Sequence, residues 1–145
     1  MAKFKYFTLD EFLESDKAKS RHIDNFPTFE VVDNIEVLVQ KVLDPLRQAW
    51  GSGLNVSSGY RCPLLNTAVG GSSTSAHLTG RAAGITPANG RIDEFYKFAS
   101  DWFKKTGVRY DQLIREKDSA GHRWLHIGHY NNLGQQRMQN LTLTK

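Results

Sequence analysis

The chain has 145 residues, of which 39% are apolar and 23% are charged, as is typical of one soluble domain. Its 19 Lys and Arg against 15 Asp and Glu give a net charge of +4, scattered along the sequence. A single cysteine excludes an intrachain disulfide, and no apolar run approaches the roughly 20 residues that a membrane span needs. We therefore expect one domain over residues 1–145 and no membrane partner.

Helical signals come first along the chain. Thr8 and Glu11 form a capping box that begins a short helix. Thr28 is a helix cap, and apolar residues then recur at steps of three and four over 31–50, which predicts a long amphipathic helix. Pro45 is expected to kink this helix without ending it.

Shorter elements follow, separated by glycine-rich turns. The expected elements are a strand at 54–56, a helix at 63–69, a strand at 81–85, a helix at 92–103, strands at 110–115 and 123–130, and a possible edge strand at 141–143. Helices first and strands later predict an α+β fold, with helices packed on a small antiparallel sheet.

Two candidate site residues follow flexible segments. Arg61 comes after a glycine turn, and an arginine can hold a carboxylate with two parallel hydrogen bonds. His77 follows a Gly/Ser loop, and a neutral imidazole is a common zinc ligand. Taken singly, a surface arginine and an ordinary polar histidine are the commoner interpretations.

The last two long strands carry another set of candidates. Side chains alternate along a strand, so Trp124 and His126 share one face while Leu125 and Ile127 share the other. If the two strands pair, Glu116 lies near the hairpin mouth within reach of His126. A carboxylate there can act as general base to a metal-bound water. The alternative is a partly solvated hairpin with an ordinary glutamate.

Other polar residues are lesser candidates. His122, in the hairpin loop, and His129, on the strand face opposite His126, are alternative bases or ligands. His22 is expected at the surface, and Cys62 is expected to be a buried structural thiol. Tyr60 and Trp124 are expected in the core or in the wall of a cleft.

The order and spacing of these stretches resemble the peptidase M15 family, specifically its small D-Ala-D-Ala carboxypeptidase-like branch of phage endolysins and bacterial wall-lytic proteins. The matching stretches are 7–12, 24–27, 42–47, 58–61, 66–71, 75–85, 111–114 with Glu116, and 124–127. The resemblance implies a compact α+β domain that cleaves peptide bonds in peptidoglycan. It also implies a zinc ion held by two histidines and one aspartate.

The resemblance assigns a role to each candidate. His77 and His126 would be the two histidine ligands of zinc. Glu116 would be the general base that activates the bound water. Arg61 would hold a substrate carboxylate or polarise the scissile carbonyl, and Ser75 would also bind substrate.

One position departs from the family pattern. The aspartate expected seven residues after His77 is Gly84, which has no side chain to bind metal. We therefore expect weakened zinc binding and impaired hydrolysis. Asp93 and Glu94 are potential substitutes, but both fall on a predicted helix and look solvent-facing. Because the other site residues are retained, a recent or deliberate change in an enzyme scaffold is the favoured explanation.

The sequence thus predicts an impaired zinc carboxypeptidase or endopeptidase acting on peptidoglycan stem peptides. The alternative is an inactive module that binds wall peptides in the same cleft. We expect a monomer. We expect no nucleic-acid partner, because aromatic and basic residues are not interleaved. No signal peptide is visible at the N-terminus, which predicts cytoplasmic synthesis and action on the cell wall after release.

Overall fold

Helical segments and five strands make up this computed structural model, which describes residues 4–144. The helical segments are a 3₁₀ turn at Leu9–Phe12, α1 at Asp16–Ser20, α2 at Phe29–Leu38, a π-helical turn at Val39–Leu43, α3 at Asp44–Trp50, α4 at Pro63–Ala68, a 3₁₀ turn at Ala76–Thr79 and α5 at Ile92–Thr106. The strands are β1 at Leu54–Ser58, β2 at Ala82–Pro87, β3 at Gln112–Lys117, β4 at Arg123–Gly128 and β5 at Gln139–Thr144. No helix in the described range has the length and apolarity to cross a membrane.

The strands form one sheet in the order β1-β2-β4-β3-β5. The predicted α+β class is confirmed, but the sheet is mixed because β5 runs parallel to β3. Residues 129–138, called the strap below, lead from the end of β4 to the start of β5. Because β4 ends beside the start of β3, a connection that passes the residues before β3 makes β5 run in the direction of β3.

The long helix predicted over 31–50 continues through Pro45 but is not uniform. Its middle is a π-helical turn, in which the Asp44 amide donates to the Val39 carbonyl. Proline lacks an amide hydrogen and its ring crowds the carbonyl four residues earlier, so a wider turn accommodates it. The buried Asp44 carboxylate accepts hydrogen bonds from the amides of Lys5 and Tyr6, which ties the N-terminal segment to this helix.

The core lies between the helices and one face of the sheet. Its fully buried side chains include Leu38, Leu43 and Leu46 of the long helix, Phe95 and Phe103 of α5, and Ile85, Leu125 and Ile127 of the sheet. Each such side chain contributes about 1.5–3 kcal/mol by leaving water. With Leu125 and Ile127 in the core, the opposite face of β4 is left for polar residues, as the predicted alternation required.

Candidate functional site

A cleft of about 1030 Å³ covers the polar face of the sheet. It is lined by all five predicted site residues that carry functional side chains, Arg61, Ser75, His77, Glu116 and His126. They come from separate parts of the chain: the loop after β1, the 3₁₀ turn before β2, and the paired strands β3 and β4. The structure therefore brings together in one cleft five residues that lie far apart in the sequence.

Hydrogen bonds orient His77 in the cleft. Its backbone amide donates to the Ser75 hydroxyl, which caps the 3₁₀ turn. Its ring Nδ1 lies 2.7 Å from the Gly59 carbonyl oxygen, and only 5% of the residue is exposed. Since a carbonyl can only accept, Nδ1 carries the hydrogen and Nε2 carries the lone pair that a metal or proton would need.

The two candidate histidine ligands are neighbours. The ring centroids of His77 and His126 are 5.2 Å apart, with the ring planes at 68°. A tetrahedral zinc about 2.1 Å from one nitrogen of each ring would hold the centroids roughly 5 Å apart. The separation of the two rings is therefore compatible with one shared ion.

Glu116 lies on the strand beside His126. In the β3–β4 register Glu116 pairs with Trp124 and Ile114 pairs with His126, so the carboxylate is a diagonal neighbour of the imidazole. Diagonal neighbours across two strands have Cα atoms about 7–8 Å apart. The Trp124 indole donates to Glu116 Oε2 at 2.6 Å, and Glu116 is only 6% exposed. The indole thereby orients a nearly buried carboxylate.

Gly84 lies in the same transverse row of the sheet as His126. Across β1, β2 and β4, Ser58 pairs with Gly84 and Gly84 pairs with His126. A Cβ added to Gly84 would be 2.6 Å from the Ser58 hydroxyl, 2.7 Å from the Ser57 hydroxyl and 3.3 Å from Trp124 Cδ1. All three of these residues line the cleft, so a side chain at position 84 would project into it beside His126.

A β-bulge explains why two consecutive serines face Gly84. The β1–β2 register shifts between Val56 and Ser58, which inserts Ser57 as an extra residue on the β1 side. A bulge interrupts the strict alternation of a strand. Both hydroxyls consequently reach the space that a side chain at position 84 would occupy.

The described residues do not complete a zinc site. Within residues 4–144 no group of three or more His, Cys, Asp or Glu side chains lies together as a metal site. Asp93 and Glu94 are exposed on α5, and Asp93 is paired with Arg115 and Arg123. Hydrogen bonds from Arg123 first, and then from Arg115, hold the pKa of Asp93 below its usual range. Two imidazoles without a third protein ligand do not fit a catalytic zinc centre, which has three protein ligands and one open position.

Arg61 is anchored in the wall of the cleft. Its Nε donates to Asn66 Oδ1 at 3.1 Å and its Nη2 donates to the Ser75 hydroxyl at 3.3 Å. Burial lowers the pKa of Arg61 from its ordinary value, and the charge of Glu116 partly opposes that effect. The guanidinium nevertheless stays charged at neutral pH, so a preoriented cation is available to an anionic ligand.

The alternative histidines lie outside the cleft lining. His122 is exposed in the β3–β4 loop, where its Nδ1 hydrogen-bonds Asp118 Oδ2. His129 is buried, and burial first, then the charges of Lys41 and Arg81, lower its pKa. His129 is therefore neutral and packed within the protein.

Cys62 and His22 have simple structural explanations. Cys62 was expected to be buried but is only half-buried, because it precedes Pro63 at the start of α4 and lies at the edge of the core. Its backbone amide donates to Asn25. His22 is exposed, as predicted.

Sequence reasoning missed several residues of the cleft wall. The roles of Asn66, which supports Arg61, and of the serine pair of β1 were not predicted, although residues 58 and 66 lie in stretches that carry the resemblance. The Trp124–Glu116 hydrogen bond was within reach, since the predicted hairpin places the two residues close together. Arg137 and Asp111 also line the cleft and were not proposed as functional.

Comparison with known proteins gives one family match. A family model described as peptidase M15 matches residues 5–118, a range that includes Arg61, His77, Gly84 and Glu116. The match ends before β4, so the place of His126 in the site rests on the structure. A search of curated proteins finds no match to the chain.

Proposed function

Because the chain belongs to the peptidase M15 family, a family of metallopeptidases, we propose that it is a zinc carboxypeptidase or endopeptidase of peptidoglycan stem peptides whose hydrolysis is impaired by Gly84. The observation that carries this proposal is one missing side chain in the cleft, at Gly84. His77, His126 and Glu116 line one cavity, and Gly84 stands in the row of His126 with its Cβ direction toward that cavity.

The protein groups in the cleft suit a peptide ligand. Arg61 is fixed by Asn66 and Ser75, so it can bind a carboxylate or the scissile carbonyl without losing side-chain freedom on binding. Glu116, oriented by Trp124, would take up and return the proton of the hydrolytic step. We further propose that the protein acts as a monomer on the cell wall, after release from the cytoplasm in which it is made.

A second function is favoured by one specific observation. Residues 4–144 contain no trio of metal-binding side chains, so a module that binds wall peptides without cleaving them would retain the same cleft. In that case Arg61 would be a binding residue, and Glu116 would have no proton to transfer.

Restoring the missing carboxylate separates the two functions. Gly84→Asp should raise zinc affinity by more than about 100-fold, because even loss of outer-shell partners costs 10–100-fold. Released amino groups should then appear in digests of purified peptidoglycan. Gly84→Asn is the matched control, since it has nearly the same shape without the charge, and it should show a much smaller gain in both measurements.

A further variant tests the first ligand. His77→Ala in the Gly84→Asp protein should abolish the gain in zinc binding and in cleavage. Unchanged zinc stoichiometry and no cleavage by Gly84→Asp would overturn the peptidase proposal. Stem-peptide binding that persists in such a protein would instead support the binding module.

A further inference from the structure

An ion pair between a buried aspartate and a partly exposed arginine lines the cleft. Asp111, which is 1% exposed, accepts hydrogen bonds from Arg137 Nε at 2.7 Å, Arg137 Nη2 at 2.8 Å and the Arg137 amide at 3.2 Å. The pair joins the residue before β3 to the strap. Both residues line the cleft.

The ion pair uses one edge of the Arg137 guanidinium and leaves the other edge directed away from Asp111. Asp111 engages the edge formed by Nε and Nη2, whereas the Nη1 donors lie on the other side of the planar group. The Arg137 side chain is 38% exposed, and the hydrogen bond to Asp111 raises its pKa. Arg137 is thus a permanently charged group, held in one orientation and open to solvent in the cleft.

The distance from the histidines to Asp111, which holds Arg137, follows from the strand register. Asp111 precedes by three residues Ile114, which pairs with His126. At about 3.3 Å per residue, Asp111 lies roughly 10 Å along the strand direction from the His126 row. An extended peptide lying along the strands has a similar rise, so a group about three residues from the one beside His126 would reach Arg137.

We propose that Arg137 is a specificity-determining residue, which binds a carboxylate of the peptide about three residues from the bond held beside His126. The inference rests on the proposed function of the cleft as a peptide site. It extends that function by naming the substrate class, a peptide with an acidic group at a fixed distance. The strap carries the residue, outside the range 5–118 that the family model matches.

The competing role of Arg137 is purely structural, to neutralise Asp111 and fasten the strap. Arg137→Ala alone would leave a buried carboxylate without its charged partner, which is strongly destabilising. The double variant Asp111→Asn with Arg137→Gln removes both charges together and can keep an amide–amide hydrogen bond. It therefore separates loss of the cation from loss of the fold.

Binding of capped peptides to the purified full chain tests the proposal. The probes are N-acetylated, C-amidated alanine hexapeptides with one Glu moved through successive positions, each with a Gln counterpart, measured by isothermal titration calorimetry. At one position the Glu peptide should bind about 10-fold more tightly than its Gln counterpart, as a charge-assisted hydrogen bond allows. The double variant should lose this preference.

A control with a comparable arginine isolates the effect. Arg115 is 33% exposed and paired with Asp93 away from the cleft, so Arg115→Gln should leave the Glu preference unchanged. If Glu and Gln peptides bind the wild-type protein equally, the role of Arg137 is refuted while peptide binding stands. A double variant that retains the preference would refute that role in the same way. If none of these hexapeptides binds, this inference fails, while the proposed function is decided separately by the zinc and peptidoglycan measurements on Gly84→Asp.

Discussion

Gly84→Ala tests whether the two serine hydroxyls occupy the space beside Gly84. The new Cβ would lie 2.6 Å and 2.7 Å from the hydroxyl oxygens of Ser58 and Ser57. Both serines must therefore rotate, at a cost of about 0.5–1.5 kcal/mol for each side chain held away from its preferred rotamer. The reduced freedom of the unfolded chain offsets about 0.4–1 kcal/mol. We expect Gly84→Ala to lower the free energy of unfolding by about 1 kcal/mol.

The sign of this effect should reverse when the hydroxyls are removed. In a Ser57→Ala, Ser58→Ala background the hydroxyl contacts are gone, which leaves the effect on the unfolded chain and the 3.3 Å contact with Trp124 Cδ1. Gly84 has no left-handed backbone that would oppose a side chain. Gly84→Ala should then raise the free energy of unfolding by about 0.4–1 kcal/mol. Urea unfolding of the four proteins in this cycle measures the difference.

The same four-protein comparison indicates how well the fold tolerates Gly84→Asp, because an aspartate at position 84 has the same Cβ. An equal loss of stability from Gly84→Ala with and without the serine hydroxyls would refute the reasoning. It would mean that some contact other than Ser57 and Ser58 resists the side chain.

Three further predictions concern the framework of the site. His129→Gln should weaken the pH dependence of stability. Because the pKa of His129 is lowered in the folded protein, the unfolded state takes up the proton first, and stability falls as the pH drops below about 6.5. Thermal unfolding at pH 7.5 and pH 5.5 measures this dependence. Gly59→Ala should cost about 3 kcal/mol or more, because its Cβ would lie 2.3 Å from the backbone oxygen of Phe12; urea unfolding unchanged from wild type would contradict this close approach. Asn25→Ala should cost about 2–3 kcal/mol, because its side chain bonds three backbone groups of two segments, and Asn89→Ala, which loses one exposed bond, is the control in the same urea assay.

Local patterns predicted the elements of the fold well. The capping box at Thr8 and the cap at Thr28 are both present. The alternation that places Leu125 in the core and His126 in the cleft is also observed. These features depend on residues close in sequence, which is why periodicity and capping chemistry reveal them.

Features that depend on pairing between distant segments were not predictable in the same way. The parallel direction of β5 follows from the path of the strap past the residues before β3. The bulge at Ser57 follows from the register of β1 with β2. Neither leaves a periodic trace in the sequence. The Asp111–Arg137 pair joins residues 26 positions apart, a distance that composition and spacing do not encode.

The two sides of the cleft differ in how their backbones are held. Glu116 and His126 stand on β3 and β4, each of which has a hydrogen-bonded strand on both sides. Ser57 and Ser58 belong to an outer strand with an irregular register, and His77 follows a glycine-rich loop. Amide protons of the inner strands should exchange slowly and those of the outer strand and loop quickly. A ligand would therefore contact one rigid side of the cleft, formed by β3 and β4, and one side that can adjust to its shape.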